Sequence, residues 1–271
     1  MDYSERKQMI TQTFDEVSND YDNAALHFFP KSAQVLNYYL NLQGHEKVLD
    51  VATGTGAIAL ALAEQLNSGG HVTGIDLSPG MLETAHAKAT RNNLKNVTFL
   101  KMDVDTLDFP QDNFDIACCG FGMFFLEDME SALKNISQTV KPEGRVAITT
   151  FSDYAFDPLV DLFLNRIEKH GIERPPISWK RLGTTDKHQD LFKKTGLREI
   201  ESYERQVGYF IDNAEEWWEI VKSSGFRSLI NQLPEQDLDT FRQDHMAEVS
   251  TISGDRGIWL DVEIIVTLGK K

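Results

Sequence analysis

The stretch from Val48 to Leu60, V-L-D-V-A-T-G-T-G-A-I-A-L, constrains the fold more than any other part of this 271-residue chain. An apolar run of strand length leads into a turn that contains Gly54 and Gly56, and a run rich in alanine and leucine follows. The turn fits the template G-x-G-x-x-(G/A), which joins a strand to a helix in nucleotide-binding sheets. The stretch therefore predicts a strand, a ligand-binding loop and a helix in succession.

Short apolar runs and helical patterns alternate from residue 47 to residue 151. Runs of about four to eight apolar residues are typical of strands that are buried on both faces of a sheet. Between two of these runs, Ser78 followed by Pro79 predicts the N-terminus of a helix. The predicted strands are Lys47–Val51, Val72–Ile75, Val97–Lys101, Phe114–Cys119 and Arg145–Phe151. This alternation predicts an α/β fold with a Rossmann-like, doubly wound parallel sheet.

The pattern changes after residue 151. Residues 152–184 and 212–256 contain helical patterns that are broken by glycine and proline, and we interpret them as two inserts. Residues 185–211 predict a core helix followed by one long strand from Arg198 to Phe210. Residues 257–271 predict a final core strand, from Gly257 to Leu268. Because inserts at one edge of an α/β sheet often cover the ligand crevice, we expect two helical cap inserts.

Composition argues against several kinds of partner. The formal net charge is −15 and the pI is near 4.9, whereas proteins that wrap nucleic acid usually have a basic face. No apolar run reaches the roughly 18 residues that a membrane span needs, and the polar residues 1–12 predict no signal peptide. Cys118 and Cys119 are adjacent, and neighbouring cysteines are poor candidates for an ordinary disulfide. No histidine cluster accompanies them, so they do not suit a metal site either. We expect a cytoplasmic protein that binds no nucleic acid, membrane or metal.

Acidic residues occur at the ends of the first three predicted strands. Asp50 precedes the glycine loop, Asp76 comes twenty residues after Gly56, and Asp103 follows the third strand. A carboxylate at position 50 would repel a pyrophosphate near the helix N-terminus, but it suits the ammonium and sulfonium groups of S-adenosylmethionine (SAM). On this hypothesis Asp76 binds the ribose hydroxyls. Asp103 then accepts a hydrogen bond from the adenine amino group, and Val104 donates its backbone N–H to the ring.

Five segments together resemble the class I SAM-dependent methyltransferases. They are V-L-D-V-A-T-G-T-G, G-I-D-L-S-P-G-M-L, F-L-K-M-D-V, F-P-Q-D-N-F-D-I-A-C-C-G-F-G and L-K-N-I-S-Q-T-V-K-P-E-G-R-V. The segment F-D-E-V-S-N-D-Y-D, from Phe14 to Asp22, is similar to the ubiquinone and menaquinone branch of C-methyltransferases and to related small-molecule enzymes. The resemblance implies a seven-stranded sheet whose last strand is antiparallel. It also implies a SAM-binding core over residues 46–151 and a helical segment over residues 1–45 that covers the cofactor.

The resemblance also implies cofactor contacts for individual residues. The glycine loop, which Gly56 completes, would hold the methionine part of SAM at Ala52, Thr53, Gly54 and Thr55. Asp76 and Leu77 would bind the ribose, Asp103 and Val104 the adenine, with Met81 packed near the adenine, Gly120 beside the methionine and Tyr21 folded over the cofactor. Two features depart from the family pattern. Ala52 replaces the first glycine of many class I enzymes, although the quinone branch tolerates alanine there, and the resemblance to quinone methyltransferases fades beyond Phe151.

The segment after the fourth strand argues for a small-molecule acceptor. Cys119-Gly120-Phe121-Gly122 lacks the Asp/Asn-Pro-Pro-aromatic motif of enzymes that methylate amino groups in nucleic acids, and neither cysteine precedes a proline as in cytosine-C5 enzymes. Transfer of a sulfonium methyl depends mainly on alignment, so a general base is optional and no catalytic residue is assigned. Candidate bases or hydrogen-bond partners are His27, His170, His188, His245, Tyr154 and Tyr209. Candidates for an aromatic wall are Phe121, Phe124, Phe125, Trp217 and Trp218.

Two other functions stay open at this point. A SAM-binding module or sensor without methylation activity would keep the same cofactor motifs. A short-chain NAD(P)-dependent reductase needs Tyr-x-x-x-Lys in the second half of the sheet, whereas the one such pair in this chain is Tyr3 and Lys7. The sequence predicts no particular oligomeric state.

Overall fold

The computed structural model describes residues 2–67 and 69–271. The helices in this part of the chain are α1 (Tyr3–Val17), α2 (Phe28–Leu40), α3 (Ala57–Ala63), α4 (Pro79–Arg91), α5 (Met129–Thr139), α6 (Leu159–Lys169), α7 (Thr185–Lys194), α8 (Ala214–Lys222), α9 (Arg227–Ile230) and α10 (Glu235–Ser250). The strands are β1 (Lys47–Val51), β2 (His71–Asp76), β3 (Val97–Lys101), β4 (Phe114–Gly120), β5 (Val140–Phe151), β6 (Arg198–Gln206), β7 (Tyr209–Ile211), β8 (Ile258–Leu260) and β9 (Glu263–Lys270). Short 3₁₀ turns occur at Val104–Thr106, Met123–Phe125 and Ser178–Leu182.

Seven strands form the main sheet, in the order β3-β2-β1-β4-β5-β9-β6. The pairs among β1 to β5 are parallel, and β9 runs antiparallel to both β5 and β6. This arrangement confirms the predicted seven-stranded Rossmann-like sheet with an antiparallel last strand. Because β1 to β4 point the same way, their carboxyl ends and the loops that follow them meet at one edge of the sheet.

Helices cover both faces of the sheet, as the alternating pattern predicts. One buried apolar cluster joins the sheet to α2, α3 and α4, and a second joins its other face to α5 and α7. The start of α4 shows the local cause of one helix. Ser78 Oγ accepts a hydrogen bond from Met81 N at 3.1 Å, and Pro79 occupies the first helical position. The predicted N-terminus of this helix is confirmed.

The prediction of two long, continuous strands in the second half of the chain is wrong, because both strands are interrupted. Each is interrupted at the same level, so that β6 and β9 pair in the main sheet while β7 and β8 form a separate two-stranded sheet. The Gln206 side chain occupies the break. Its Oε1 accepts from Gly208 N at 2.8 Å and Val262 N at 3.0 Å, and its Nε2 donates to Asp261 at 2.9 Å. A side-chain amide thus replaces ladder hydrogen bonds, and the apolar pattern carries no sign of this.

The helices of the two inserts pack against one another beside the main sheet. Helix α10 contacts α6 and α8, and α8 contacts both α9 and β7. The N-terminal helix also reaches this cap, because Asn231 Nδ2 donates to Glu16 at 2.8 Å. In the described ranges, no helix has the length and apolar character that crossing a membrane requires.

Candidate active site

A cavity, here called the first cavity, lies at the carboxyl ends of β1, β2 and β4. The loops after these strands and one side of α1 form its wall. The residues predicted from the sequence that line it are Tyr21, Ala52, Thr53, Gly54, Thr55, Asp76, Leu77, Met81, Val104 and Gly120. Three further predicted residues, Asp50, Gly56 and Asp103, are chain neighbours of wall residues but do not line the cavity themselves.

The glycine loop between β1 and α3 has an uncommon backbone conformation. Ala52, Gly54 and Gly56 have φ angles of 55°, 54° and 82°. Glycine adopts such left-handed conformations freely, whereas for other residues they cost roughly 1–2 kcal/mol. At Ala52, where many class I enzymes have glycine, the loop therefore carries local strain that neighbouring contacts must offset.

The side chain of Asp50 fixes the glycine loop through hydrogen bonds. Its side chain is buried, and Oδ2 accepts hydrogen bonds from Thr53 Oγ1 at 2.6 Å and from Ala59 N at 3.1 Å. Ala59 lies in the first turn of α3, where backbone N–H groups lack partners within the helix. One carboxylate thus fixes both the loop and the start of the helix. Direct contact between Asp50 and a ligand stays a prediction.

Burial raises the pKa of Asp50 to about 6, and the nearby Asp76 adds to this effect. The folded protein therefore holds a proton on Asp50 at pH values where the unfolded chain has lost it. We expect the free energy of unfolding of wild type, relative to Asp50→Asn, to fall as the pH rises from about 4 to 6 and then to level off. Urea unfolding of the two proteins across this range measures the difference. If the difference in free energy of unfolding between the two proteins did not change with pH, the raised pKa of Asp50 would be refuted.

Asp76 links two backbone segments at the end of β2. Its Oδ2 accepts from Gly54 N at 2.8 Å, and its Oδ1 accepts from Ser78 N at 2.9 Å. Burial raises the pKa of Asp76, although these backbone donors oppose the rise. Each carboxylate oxygen has a further lone pair. The side chain can therefore hold the glycine loop in place and still accept hydrogen bonds from a ligand in the first cavity.

Helix α1 is fastened to this edge of the sheet at two places. Lys7 Nζ lies 2.7 Å from Asp103 Oδ2 and 2.5 Å from Asp105 Oδ2. Asp15 Oδ1 accepts from Ser78 Oγ at 2.5 Å and from Gly80 N at 2.9 Å, at the start of α4. Because α1 also lines the first cavity, these contacts close the cavity on one side. The predicted adenine contact of Asp103 stays a prediction, since Lys7 now engages its carboxylate.

We expect Lys7→Met to speed the release of S-adenosylhomocysteine (SAH) roughly two- to fivefold, because part-exposed ion pairs contribute about 0.2–1 kcal/mol each. Methionine keeps most of the length of the side chain but cannot pair with either carboxylate. Stopped-flow displacement of SAH measures the rate, and Lys95→Met, at an exposed position outside the cavity wall, is the matched control. Equal release rates for both variants and wild type would show that the Lys7 pairs do not hold α1 closed.

The charged side chains in the wall of the first cavity are acidic. They are Asp22 and Asp76, and no lysine, arginine or histidine of the described residues lines this cavity. Asp22 is fixed by Thr55 Oγ1 at 2.8 Å and by Lys88 Nζ at 2.8 Å. A pyrophosphate would meet carboxylates and no cationic side chain in this wall, whereas an adenosyl ligand with a sulfonium and an ammonium group would face charges of opposite sign. The wall therefore fits SAM and disfavours NAD(P).

A larger second cavity of about 400 Å³ adjoins the first. The residues that line both cavities are Ile10, Phe14, Tyr21, Phe29, Phe121 and Phe125. The rest of the second cavity is formed by α1, the end of β5 and both cap inserts, with Phe151, Trp179 and Phe226 in its wall. Its volume lies in the range of small-molecule sites. The two cavities thus meet at a shared aromatic wall.

The sequence suggested five residues for an aromatic wall, of which three line the second cavity and two do not. Phe121, Phe124 and Phe125 line the second cavity. Trp217 and Trp218 do not, because both are buried in the core of the cap, where Trp217 Nε1 donates to His245 Nε2 at 2.9 Å. The proposal of a wall role for these two tryptophans is wrong, since a helical stripe of large aromatic residues serves equally well as the core of a helix bundle.

The candidate bases lie outside both cavities. His188 is buried and bonded to Thr150, Thr267 and Leu182 O, and burial lowers its pKa to about 4. Burial also lowers the pKa of His245 to about 4. His27, His170, Tyr154 and Tyr209 are absent from the walls of the two cavities. His188 and His245 are neutral structural residues, and no histidine among the described residues is positioned to remove a proton from a ligand in the second cavity.

Several wall residues were not singled out from the sequence. Asp22 and Phe14 lie in the N-terminal motif that carried the resemblance, but the motif alone did not indicate that they line the cavity. Arg6, Trp179 and Phe226 lie far apart in the chain and had no motif to mark them. Only the folded chain brings these residues to one cavity.

The sheet topology, the glycine loop and the acidic first cavity define a SAM-binding α/β protein of the methyltransferase class. A model of the ubiE/COQ5 methyltransferase family matches residues 1–165. The chain belongs to this family, and it is a SAM-dependent methyltransferase that acts on a small molecule. These matches give no support to a SAM-binding module without activity.

Two relatives and one solved structure illustrate the similarity. Aklanonic acid methyltransferase DauC of Streptomyces sp. (strain C5) is 34% identical over 183 residues, which cover 66% of this chain and 83% of that enzyme. Demethylmenaquinone methyltransferase of Listeria monocytogenes serotype 4a (strain HCC23) is 30% identical over 146 residues, 52% of this chain and 62% of that enzyme. The crystal structure of the Bacillus subtilis YcgJ protein matches with a TM-score of 0.60 at 22% identity, covering 89% of this chain and 98% of that one, and it supports the fold.

Proposed function

We propose that the second cavity binds a flat, mainly aromatic acceptor, and that the enzyme methylates this acceptor where the two cavities meet. The observation that carries the proposal is the aromatic wall that both cavities share. Phe121 and Phe151 stack with ring centroids 4.4 Å apart, and Tyr21 stacks on Phe29 at 4.9 Å. Flat rings pack well against such surfaces, in stacked or edge-to-face contacts.

The residues of the first cavity supply the cofactor contacts in this proposal. Asp76 and Leu77 hold the ribose, and the loop residues hold the methionine part. Val104, Met81 and the neighbouring Asp103 surround the adenine, while Gly120 and Tyr21 lie on the side of the acceptor. Asp50 supports the loop from below. When bound, SAM supplies a methyl group to the acceptor, whose electron pair forms the new bond while sulfur keeps the pair of the broken C–S bond.

The protein's own contribution to the reaction is alignment and exclusion of water. Aligned reactants gain roughly 7–11 kcal/mol over separate molecules in solution. The second cavity offers no histidine, lysine or carboxylate among its described wall residues, so no such side chain removes a proton from the acceptor. Burial raises the pKa of Tyr21, which therefore stays protonated and serves as a hydrogen-bond donor. The acceptor must arrive with a reactive electron pair.

The relatives agree with this choice of acceptor. One is named for aklanonic acid and the other for demethylmenaquinone, an acid and a quinone.

We infer further that the enzyme is cytoplasmic, because Cys118 and Cys119 are free and buried, as in a reducing compartment. Its charge of −15 argues against nucleic acid as a partner.

Gly225→Leu tests the proposed acceptor site. Gly225 lines the second cavity, and nothing lies within 4 Å of the position that a Cβ would take, so leucine adds bulk at the cavity wall without a clash. We expect methyl transfer from labelled SAM to flat aromatic acceptors to fall at least tenfold, while the affinity for SAH is unchanged. Gly254→Leu, in an exposed part of the second insert, is the matched control. Full transfer activity in Gly225→Leu would refute the proposed acceptor site.

A further inference from the structure

The second cavity has a single charged residue in its described wall, and this residue is a cation. It is Arg6, in the first half of α1, one helical turn before the shared wall residue Ile10. The remaining wall side chains are aromatic, aliphatic or uncharged polar groups. In a chain with a formal net charge of −15, an aromatic cavity whose charge is positive calls for a specific explanation.

Among the residues that the structure describes, the Arg6 guanidinium has no partner. Over residues 2–67 and 69–271, it forms neither an ion pair nor a side-chain hydrogen bond. The nearby Arg181 differs, because its guanidinium donates to the carbonyl oxygens of Phe124 and Glu127 at 2.9 Å, and to that of Leu126 at 2.5 Å. Arg181 therefore holds the segment after β4 in place, while the donors of Arg6 are left for another group.

Arg6 is only partly exposed, and the uncharged wall beside it weakens the screening of its charge. A guanidinium presents several N–H donors in a fixed plane, which match the two oxygens of a carboxylate or a single phenolate oxygen. A neutral amide or alcohol would gain much less from the same position. Charge at such a site therefore selects between acceptors of nearly equal shape.

We propose that the acceptor carries an anionic oxygen, in a carboxylate or an acidic phenol, and that Arg6 is the residue that selects it. This inference rests on the proposed acceptor site in the second cavity. The aromatic wall holds the ring system, and Arg6 fixes its orientation by pairing with the anionic group. Arg6 is a specificity-determining residue in this account and takes no part in bond formation.

The test compares two probes of matched shape, anthracene-2-carboxylate and anthracene-2-carboxamide, bound to the SAH-loaded protein. Fluorescence titration gives the dissociation constant of each. We expect wild type to bind the carboxylate at least tenfold more tightly than the carboxamide. Arg6→Gln should remove this preference by weakening the carboxylate alone, and Arg6→Lys should restore part of it. Arg91→Gln, an exposed arginine of α4 outside both cavities, should behave as wild type.

The possible failures are distinct. Equal binding of both probes by wild type would overturn the inference on Arg6 and leave the aromatic acceptor site standing. Equal weakening of both probes by Arg6→Gln would also overturn it, because Arg6 would then support only the shape of the cavity. Binding of neither probe to SAH-loaded wild type would reject the aromatic acceptor site, and the role of Arg6 with it. Titration of Arg6→Gln with SAH confirms that the variant is folded.

Discussion

Gly122→Ala is expected to weaken SAH binding at least tenfold and to lower the free energy of unfolding by about 1–3 kcal/mol, the usual cost of overpacking. A Cβ at position 122 would lie 2.5 Å from Ala52 Cβ and 3.1 Å from Cys119 Sγ. Neither atom lies at the far end of a flexible side chain. The added methyl group therefore displaces the glycine loop, whose residues line the first cavity. Calorimetric titration with SAH and thermal unfolding measure the two effects.

The same contact predicts a rescue. Ala52→Gly removes the opposing Cβ, and glycine adopts the φ of 55° at that position without strain. We expect the double variant Ala52→Gly/Gly122→Ala to bind SAH within about threefold of Ala52→Gly alone, which is strong coupling in a double-mutant cycle. Additive losses in the double variant would show that the two positions do not oppose each other. The pair would also explain how this chain uses alanine where many class I enzymes have glycine.

Asp76→Ala is expected to weaken SAM binding by about 1.5–3 kcal/mol, roughly 10- to 150-fold. The variant loses the proposed ribose contact, and it also leaves Gly54 N and Ser78 N without the acceptor that now holds them. The effect should appear with SAM and SAH alike, because both carry the same ribose. Calorimetric titration measures both affinities.

Asp76→Asn is the matched control for this loss. Asparagine keeps the shape of the side chain and one acceptor oxygen, but it lacks the charge and cannot accept from both backbone donors and both ribose hydroxyls. We expect an affinity between those of wild type and Asp76→Ala. Unchanged affinity for SAM in Asp76→Ala would refute the ribose role of this residue.

Local features of the sequence were sufficient to predict the core of the fold and the loops after β1, β2 and β4 that line the first cavity. The glycine loop and the Ser78 cap depend on neighbours within a few residues. Asp76 is marked by its position at the end of a predicted strand, although the backbone donor that it holds, Gly54 N, lies 22 residues away. The parallel direction of the strands then brings these local features to one edge. Fold and cofactor class therefore follow from short segments whose order along the chain is known.

Features that depend on distant partners were not predictable in the same way. The side chain of Gln206 divides two strands that look continuous in their residue pattern, because it accepts a hydrogen bond from Val262 N, 56 residues away. The second cavity combines Arg6 with Phe151 and Phe226, from three parts of the chain. Nothing in their local sequence marks such residues, because their role arises only when α1 and the cap meet.

Calorimetric titration of the wild-type protein with SAH and, separately, with NADH tests the chemistry of the first cavity most directly. A wall whose charged residues are Asp22 and Asp76, with the glycine loop fixed by Asp50, predicts binding of SAH at one site per chain and no binding of NADH. Tight binding of NADH without any binding of SAH would contradict the assignment of this cavity to a phosphate-free adenosyl cofactor.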